Sequence, residues 1–514
     1  MTVAQIQLSE RFNLASAMVD DRVNEGKGDK VSIYYKDNAF SFNDILQMVN
    51  RTGNALNSLG IEIEDRVAIL LPDCPEWIAS FFGVMKIGAV AVPFNTMLRA
   101  EEYQYFLNDS RAKAIIVSSD LLGNIVEILN DLNYLKHVIV VGEADGNHLT
   151  YDKLVAEASP ELEASVTSKD DTAFWLYTSG STGEPKGIVH LHHDLMFHAV
   201  FYGNNFLGIN DNDVIFSMPK LFFSLGTANL GATFNIGASQ ILMPDRATPE
   251  IIFETITKYR PTVFIGVPTL YANLLAINNM ADYDLSSIRL CISGGEPLPA
   301  GIFQKFKERF GIEVLEVYGS AEAVSGCIAG RPGRAKPGVT GELIPGVRAK
   351  IVDSDGNELP VGQTGELWVN IDSCSPGYWN KHDTTNETMI GSWLRTGDLF
   401  HQDEDGYFSF VGRVDDMMEA GGLKVAPAEV EAVLIHHPAV MEAAVVGTPD
   451  VHGIEKPKAY VTINNGYHPS PDLAKELQQL VKDRLAPYKY PRWVEFVKEL
   501  PKTATGKIQR FKLR

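Results

Sequence analysis

The chain has 514 residues, of which 45% are hydrophobic and 21% charged, with a formal net charge of −20. That length is more than one hydrophobic core serves and predicts roughly two to four domains. The acidic balance, with a pI of about 5.1, argues against a nucleic-acid surface or an anionic membrane as partner.

The N-terminal stretch Met1–Glu10 has no basic start followed by an apolar core, so no signal peptide is expected. Val67–Leu71, Ala114–Val117 and Val138–Val141 are short apolar runs of the buried-strand type. The longest apolar stretch, Trp77–Phe94, carries Lys86 and two glycines and predicts a helix followed by a strand rather than a membrane span. Thr262–Val267 and Ile288–Ile292 repeat the strand type, and segments of helical period such as Pro249–Lys258 lie between them. This alternation predicts layered α/β folding with mostly parallel sheets. Cys74, Cys291, Cys327 and Cys374 are scattered with no C-x-x-C pair, which fits free thiols in a reducing cytosol. A cytoplasmic protein is expected.

Tyr177–Gly187 reads Y-T-S-G-S-T-G-E-P-K-G. Its glycines let backbone N–H groups approach an anion, Ser179, Ser181 and Thr182 add hydroxyls, and Lys186 adds a point charge. The order Pro185-Lys186-Gly187 excludes a Walker loop, which needs G-K-[ST]. Phe174–Tyr177 and Ile188–His190 read as flanking strands, so the segment is expected at a hairpin tip. Ser293–Pro297 (S-G-G-E-P) and Tyr318–Glu322 (Y-G-S-A-E) each follow a predicted strand, where ligands sit at the edge of an α/β sheet.

After about residue 340 the pattern changes. Gly341–Phe410 has short strands and Gly/Asp turns, D-S-D-G-N at Asp353 and D-E-D-G-Y at Asp403, and predicts a small β-rich subdomain. The last hundred residues predict a separate α+β unit: a helix over Ala428–His436, strands at Ala443–Val446 and Ala459–Ile463, and a helix from Ser470-Pro471 to about Leu485.

The phosphate-type loop resembles that of the AMP-forming adenylating enzymes: acyl-CoA synthetases, peptide-synthetase adenylation domains and firefly-type luciferases. Y-G-S-A-E, T-G-D at Thr396–Asp398, G-R-V-D-D at Gly412–Asp416 and P-K-T-A-T-G-K at Pro501–Lys507 follow in that family's order. The resemblance implies a large N-terminal domain of layered α/β subdomains plus a β-rich subdomain (1–412), a hinge (413–416) with Asp415 at its centre, and a small mobile C-terminal α+β domain (417–514). It implies that Thr178, Ser179, Gly180, Ser181, Thr182, Gly183 and Lys186 hold phosphates and that Gly294, Gly295, Glu296, Tyr318, Gly319 and Ser320 surround adenine. Asp398 and Arg413 would take the ribose, Glu322 would bind Mg²⁺, and Lys507 would bridge the substrate carboxylate and the α-phosphate. The family usually has threonine where Ala321 stands. Gly421 and Gly422 match the loop lining the pantetheine tunnel in CoA ligases, and Lys456, Lys458 and Arg492 are candidates for the CoA phosphate.

Lys220–Gly226 (K-L-F-F-S-L-G) and Val414–Pro427 resemble the benzoate–CoA ligase branch. On that resemblance Phe223, Ser224, Leu225, Gly294, Ala323, Ser325 and Gly326 line a neutral acyl pocket, with Ser325 where benzoate ligases tend to carry histidine. The implied reactants are a small carboxylic acid, ATP and coenzyme A, with no nucleic acid and no membrane insertion; a homodimer is a further candidate assembly. No protein nucleophile is required, so His190, His192 and His193 are expected to be structural. Competing readings are an adenylation domain that loads a carrier protein, which would usually carry an aspartate in Pro219–Asn229, and a non-catalytic nucleotide or acyl-CoA sensor. A luciferase-like oxygenase is disfavoured, because nothing marks an oxygen site.

Overall fold

The apolar runs Arg66–Leu70, Val90–Pro93, Ala114–Ser118 and His137–Val141 pair in parallel, and Val67 to Leu70 are fully buried. Burial on both faces explains why these strands read as continuous apolar runs instead of alternating ones. They belong to a seven-stranded sheet in the order Leu149–Thr150, His137–Val141, Ala114–Ser118, Arg66–Leu70, Val90–Pro93, Thr172–Thr178, Lys186–Leu191. The last two strands form an antiparallel hairpin. A computed structural model describes all residues except 1–5, 144–147, 179–184, 245–247, 278–282, 421–422, 452–454, 465, 503–507 and 514.

A second sheet of nine strands has a parallel centre, Ser239–Leu242, Val214–Ser217, Val263–Gly266, Leu290–Gly294 and Val314–Ser320. The stretch Trp77–Phe94 forms the buried helix Pro75–Lys86 and then the strand Val90–Pro93, as its two glycines and lysine imply. Lys86 is fully buried in that helix, its ammonium held by Asp20 at 2.6 Å and Asn50 at 2.7 Å. The helix Pro249–Tyr259 starts at Thr248, whose side chain accepts from the Ile251 N–H.

Gly341–Phe410 contributes most of an antiparallel five-stranded sheet, with the Asp353 and Asp403 turns closing strand connections through Asp353 N to Asn357 O and Asp403 N to Tyr407 O. Beyond it, Met418, Val425, Val430, Leu434, Val445, Val461, Leu477 and Val481 form a hydrophobic cluster drawn only from residues after 417. It is covered by a three-stranded sheet and the helices Pro427–Ile435 and Pro471–Arg484. Ser470 caps the latter by accepting from Leu473 N.

Two boundaries differ from the sequence expectation: Ser293 and Gly294 lie within the strand Leu290–Gly294 instead of following it. Tyr318, Gly319 and Ser320 lie within the strand Val314–Ser320 and do not follow it, because antiparallel pairing with Ser325–Ala329 prolongs it beyond its parallel neighbour. Among the described residues no helix is long and apolar enough to cross a membrane, and the four cysteines are free thiols.

Candidate active site

Thr178 and Lys186 face each other as the register pair closing the hairpin Thr172–Thr178/Lys186–Leu191. Ser179, Gly180, Ser181, Thr182 and Gly183 lie outside the described residues. The Lys186 ammonium stands 5.1 Å from the centre of the Tyr378 ring, and the Tyr378 hydroxyl donates to Glu322 Oε1 at 2.8 Å. Burial first, then the Glu322 charge, pushes the Tyr378 phenol well above its usual range, so it remains a donor. A cationic and an anionic side chain are thus joined through one phenol. The sequence reading missed Tyr378; its signal was G-Y-W at Gly377–Trp379, an aromatic pair behind a glycine in an otherwise polar loop. That segment bonds along the strand Lys186–Leu191, with Trp379 N donating to Gly187 O at 2.8 Å and Val189 N to Gly377 O at 3.2 Å.

Among the described residues no three His, Cys, Asp or Glu side chains gather to hold a metal. A single carboxylate still suits Mg²⁺, which takes hard oxygens and completes its shell with phosphate and water, and Glu322 is a carboxylate of that chemistry, linked through Tyr378 to Lys186. Ala321, where a hydroxyl was expected, offers its carbonyl to His190 Nε2 at 2.9 Å, and His190 Nδ1 pairs with Asp194 Oδ2 at 2.9 Å. Both side chains are fully buried. His192 Nδ1 accepts from Leu14 N at 3.0 Å, and burial pushes its pKa down to about 4. His193 Nδ1 sits 2.9 Å from Lys169 O. These three histidines hold the fold. The Ser320 hydroxyl accepts from Ala323 N at 3.3 Å, tying the turn that carries Glu322.

Tyr318, Asp398 and Arg413 converge. Asp398 and Arg413 are register partners on neighbouring strands. The Tyr318 hydroxyl donates to Asp398 Oδ2 at 2.6 Å, and Arg413 Nη1 donates to Oδ1 at 3.0 Å. Gly294 ends the strand Leu290–Gly294, and Gly295 follows with φ +85°, a conformation that favours glycine. Glu296, next in line, is felt electrostatically by Arg510 of the C-terminal unit. Gly319 pairs with Gly326 across the strands.

Phe223 precedes the helix Ser224–Ile236, and its ring meets Phe222 edge-on at 4.5 Å. The turn before it is fixed by Asp73, which accepts from Leu221 N at 3.0 Å and lies 3.7 Å from the Lys220 ammonium. Burial pushes the Asp73 pKa up to about 6. A Cβ on Gly294 would lie 2.9 Å from both Leu225 and Val317, and one on Gly326 would lie 2.7 Å from Val317 and 3.7 Å from Tyr202. Leu225 and Val317 thus pack directly against Gly294, and Val317 and Ile344 against Gly326, so neither position has room for a side chain. Ala323 is fully buried, its carbonyl accepting from Ser373 at 2.7 Å. Ser325 contacts His198 Nδ1 at 3.1 Å, a histidine the sequence reading did not single out.

Asp415 lies in the short turn Val414–Asp416 with its carboxylate 4.0 Å from Arg413 Nη2. Gly421, Gly422 and Lys507 lie outside the described residues. Their flanks are held: Met418–Ala420 pairs with Leu423–Val425, Lys502 bridges to Ile508, and Arg510 reaches Glu431 at 3.0 and 2.6 Å and Asp416 at 3.4 Å. Of the CoA-phosphate candidates, Lys458 pairs with Glu495 at 2.8 Å and Arg492 stacks over Tyr490 at 3.8 Å.

A family profile described as AMP-binding enzyme matches residues 20–379, and one described as AMP-binding enzyme C-terminal domain matches residues 429–507. A benzoate–CoA ligase from Thauera aromatica is 41% identical over 518 residues, covering 100% of this chain and 98% of the relative. The crystal structure of the anthranilate CoA ligase AuaEII in complex with anthranoyl-AMP superposes with a TM-score of 0.94 at 38% identity, covering 99% of this chain and 97% of that one. A benzoate CoA ligase from Burkholderia xenovorans LB400 superposes with a TM-score of 0.91 at 39% identity, covering 98% and 100%. The chain belongs to the AMP-binding enzyme family, the superfamily of acyl-CoA synthetases and adenylating enzymes, on its benzoate–CoA ligase-like branch.

Proposed function

We propose that the chain is an ATP-dependent, AMP-forming ligase that joins an aromatic carboxylic acid, benzoate or a substituted benzoate, to the thiol of coenzyme A. The observation that carries this reading is the similarity, along the whole chain, to enzymes named as ligases of benzoate and anthranilate. The uncharged surroundings of Gly294, Leu225, Val317 and Gly326 support a flat, neutral acyl group.

The reaction has two halves. The carboxylate attacks the α-phosphate of ATP and expels pyrophosphate. Then the CoA thiol attacks the acyl-adenylate carbonyl and expels AMP. Positioning and charge neutralisation supply most of the first barrier's reduction. Thr178, Ser179, Gly180, Ser181, Thr182 and Gly183 cradle phosphates, and Lys186 faces them with its charge. Glu322 would hold Mg²⁺, which when bound would offset phosphate charge. Gly294, Gly295, Glu296, Tyr318, Gly319 and Ser320 border adenine. Asp398 accepts from the ribose hydroxyls with lone pairs that Tyr318 and Arg413 leave over, since each carboxylate oxygen carries two. Lys507 neutralises the two anions that must meet. Residues 1–412 act as one domain, 413–416 as the hinge at Asp415, and 417–514 as the mobile domain. Its rotation withdraws Lys507 and presents Gly421 and Gly422 to the pantetheine arm. The site operates in the cytoplasm, where ATP and CoA are supplied.

The test is pyrophosphate release with ATP and Mg²⁺ across aryl acids, cinnamates, medium-chain fatty acids and amino acids, each with and without CoA. Release with an aryl acid, and thioester plus AMP only when CoA is present, is the expected result. ATP binding without release for any acid would overturn it in favour of a sensor.

A further inference from the structure

The helix Ala100–Ser110 carries no residue used in the mechanism above, yet its last two turns reach both arms of the hairpin that ends at Thr178 and Lys186. On one arm the Tyr177 hydroxyl donates to Asp109 Oδ2 at 2.7 Å, and the Tyr177 ring stacks on Phe106 at 4.3 Å. On the other arm Pro185 O accepts from the Tyr105 hydroxyl at 3.0 Å. Tyr177 is the register partner of Gly187, one step from the Thr178–Lys186 pair. Gly187 O in turn accepts from Trp379 N at 2.8 Å. Lys186 therefore stands between two anchored neighbours.

The same helix end reaches the second charged group. Asp109 O accepts from the Trp379 indole N–H at 2.9 Å. Trp379 follows Tyr378, whose ring lies 5.1 Å from the Lys186 ammonium and whose hydroxyl donates to Glu322 at 2.8 Å. Asp109 thus holds the Lys186 hairpin with its side chain and the Glu322 tether with its backbone. Burial first, then Asp109, pushes the Tyr177 phenol well above its usual range, so that bond keeps its proton near neutral pH.

We propose that Asp109 and Tyr105 are positioning residues for ATP, which act through the hairpin to fix where the Lys186 ammonium stands relative to Glu322. The proposal rests on the reading of Lys186 and Glu322 as phosphate and metal groups, and adds the frame that sets their separation. Neutralising phosphate charge depends on preorganised distances, and a displacement of about 1 Å can cost roughly a hundredfold. Strand pairing and the Phe106 stack still hold the hairpin when either side-chain bond is removed, so the fold survives while its tip shifts.

The experiment measures two rates in the wild-type chain, Tyr105→Phe, Asp109→Ala and Asp109→Asn. One is pyrophosphate release with MgATP and the aryl acid the wild type uses best. The other is thioester formation from CoA and the supplied adenylate of that acid. The second rate needs neither the triphosphate nor its metal, so the ratio of the two within each protein cancels any loss of folded enzyme. Tyr105→Phe and Asp109→Ala are expected to raise the KM for ATP and to lower the ratio, each by about tenfold. Asp109→Asn keeps an oxygen that accepts from Tyr177 and should stay within about threefold of the wild type. A ratio unchanged in either Tyr105→Phe or Asp109→Ala, whether both rates hold or both fall together, overturns that residue's role and leaves the ligase standing. If the wild type releases no pyrophosphate with any acid, the ligase reading falls, and calorimetric titration with MgATP decides the positioning role instead. Affinity weakened about tenfold in the two variants would then support it, and unchanged affinity would overturn it.

Discussion

The Tyr318 hydroxyl and the Asp398 carboxylate meet at 2.6 Å, joining the nine-stranded sheet to the β-rich sheet. Arg413 holds the other carboxylate oxygen. Hydrogen bonds to a charged acceptor contribute about 1.5–3 kcal/mol each. Tyr318→Phe is expected to raise the KM for ATP by about tenfold, and Asp398→Asn, which also strips Arg413 of its counter-charge, by tenfold to a hundredfold. Steady-state kinetics at varied ATP check both. An unchanged KM in Asp398→Asn would remove this cluster from the nucleotide site.

Lys186, Tyr378 and Glu322 form the second linked set. Glu322→Gln is expected to cut adenylation by about a hundredfold and to raise the Mg²⁺ concentration giving half-maximal rate. Tyr378→Phe keeps the ring beneath Lys186 and removes only the bond to Glu322, so a loss of about tenfold is expected. Magnesium titrations of pyrophosphate release separate the two. If Glu322→Gln leaves the magnesium curve unmoved, the metal is held elsewhere.

The assignment of Lys507 separates the two half-reactions. Lys507→Ala is expected to slow acyl-adenylate formation by at least a hundredfold while supplied acyl-adenylate still reacts with CoA within a few-fold of the normal rate. Equal losses in both halves would sink the role.

A pH effect on stability follows from Glu316. It is 8% exposed, accepts from Leu298 N at 2.9 Å, and burial pushes its pKa from 4.5 to about 7. The folded state therefore holds the proton more tightly than the unfolded chain. Stability from this group is complete below pH 4.5 and is lost as pH rises toward 7. The loss is on the order of 2–3 kcal/mol. Glu316→Gln can still accept from Leu298 and does not ionise, so its urea midpoint should change less than the wild type's across that window. Parallel slopes for the two proteins would refute the assignment.

Much of the fold was legible because local signals agreed with one another. Continuous apolar runs such as Val67–Leu71 mark doubly covered strands, and Ser470-Pro471 states where a helix begins. The hairpin around Thr178 and Lys186 could be read from its flanks alone. Tyr378 and His198 were not legible, because each matters through a partner distant in the chain. Tyr378 is 56 residues from Glu322, and His198 is 127 from Ser325. A lone tyrosine in a loop or a histidine on an apolar helix gives no local sign of such a partner. The backbone contact of Ala321 was not legible either: its carbonyl meets His190, 131 residues away in the chain.

The segment Gly377–Trp379, bonded along Lys186–Leu191, covers one margin of the seven-stranded sheet. The opposite margin is Leu149–Thr150, two residues long. Unpaired strand margins are where chains add to one another and grow into aggregates, and proteins blunt them by covering or shortening. This sheet does both. Both margins of this sheet thus leave little free backbone on which another chain could add.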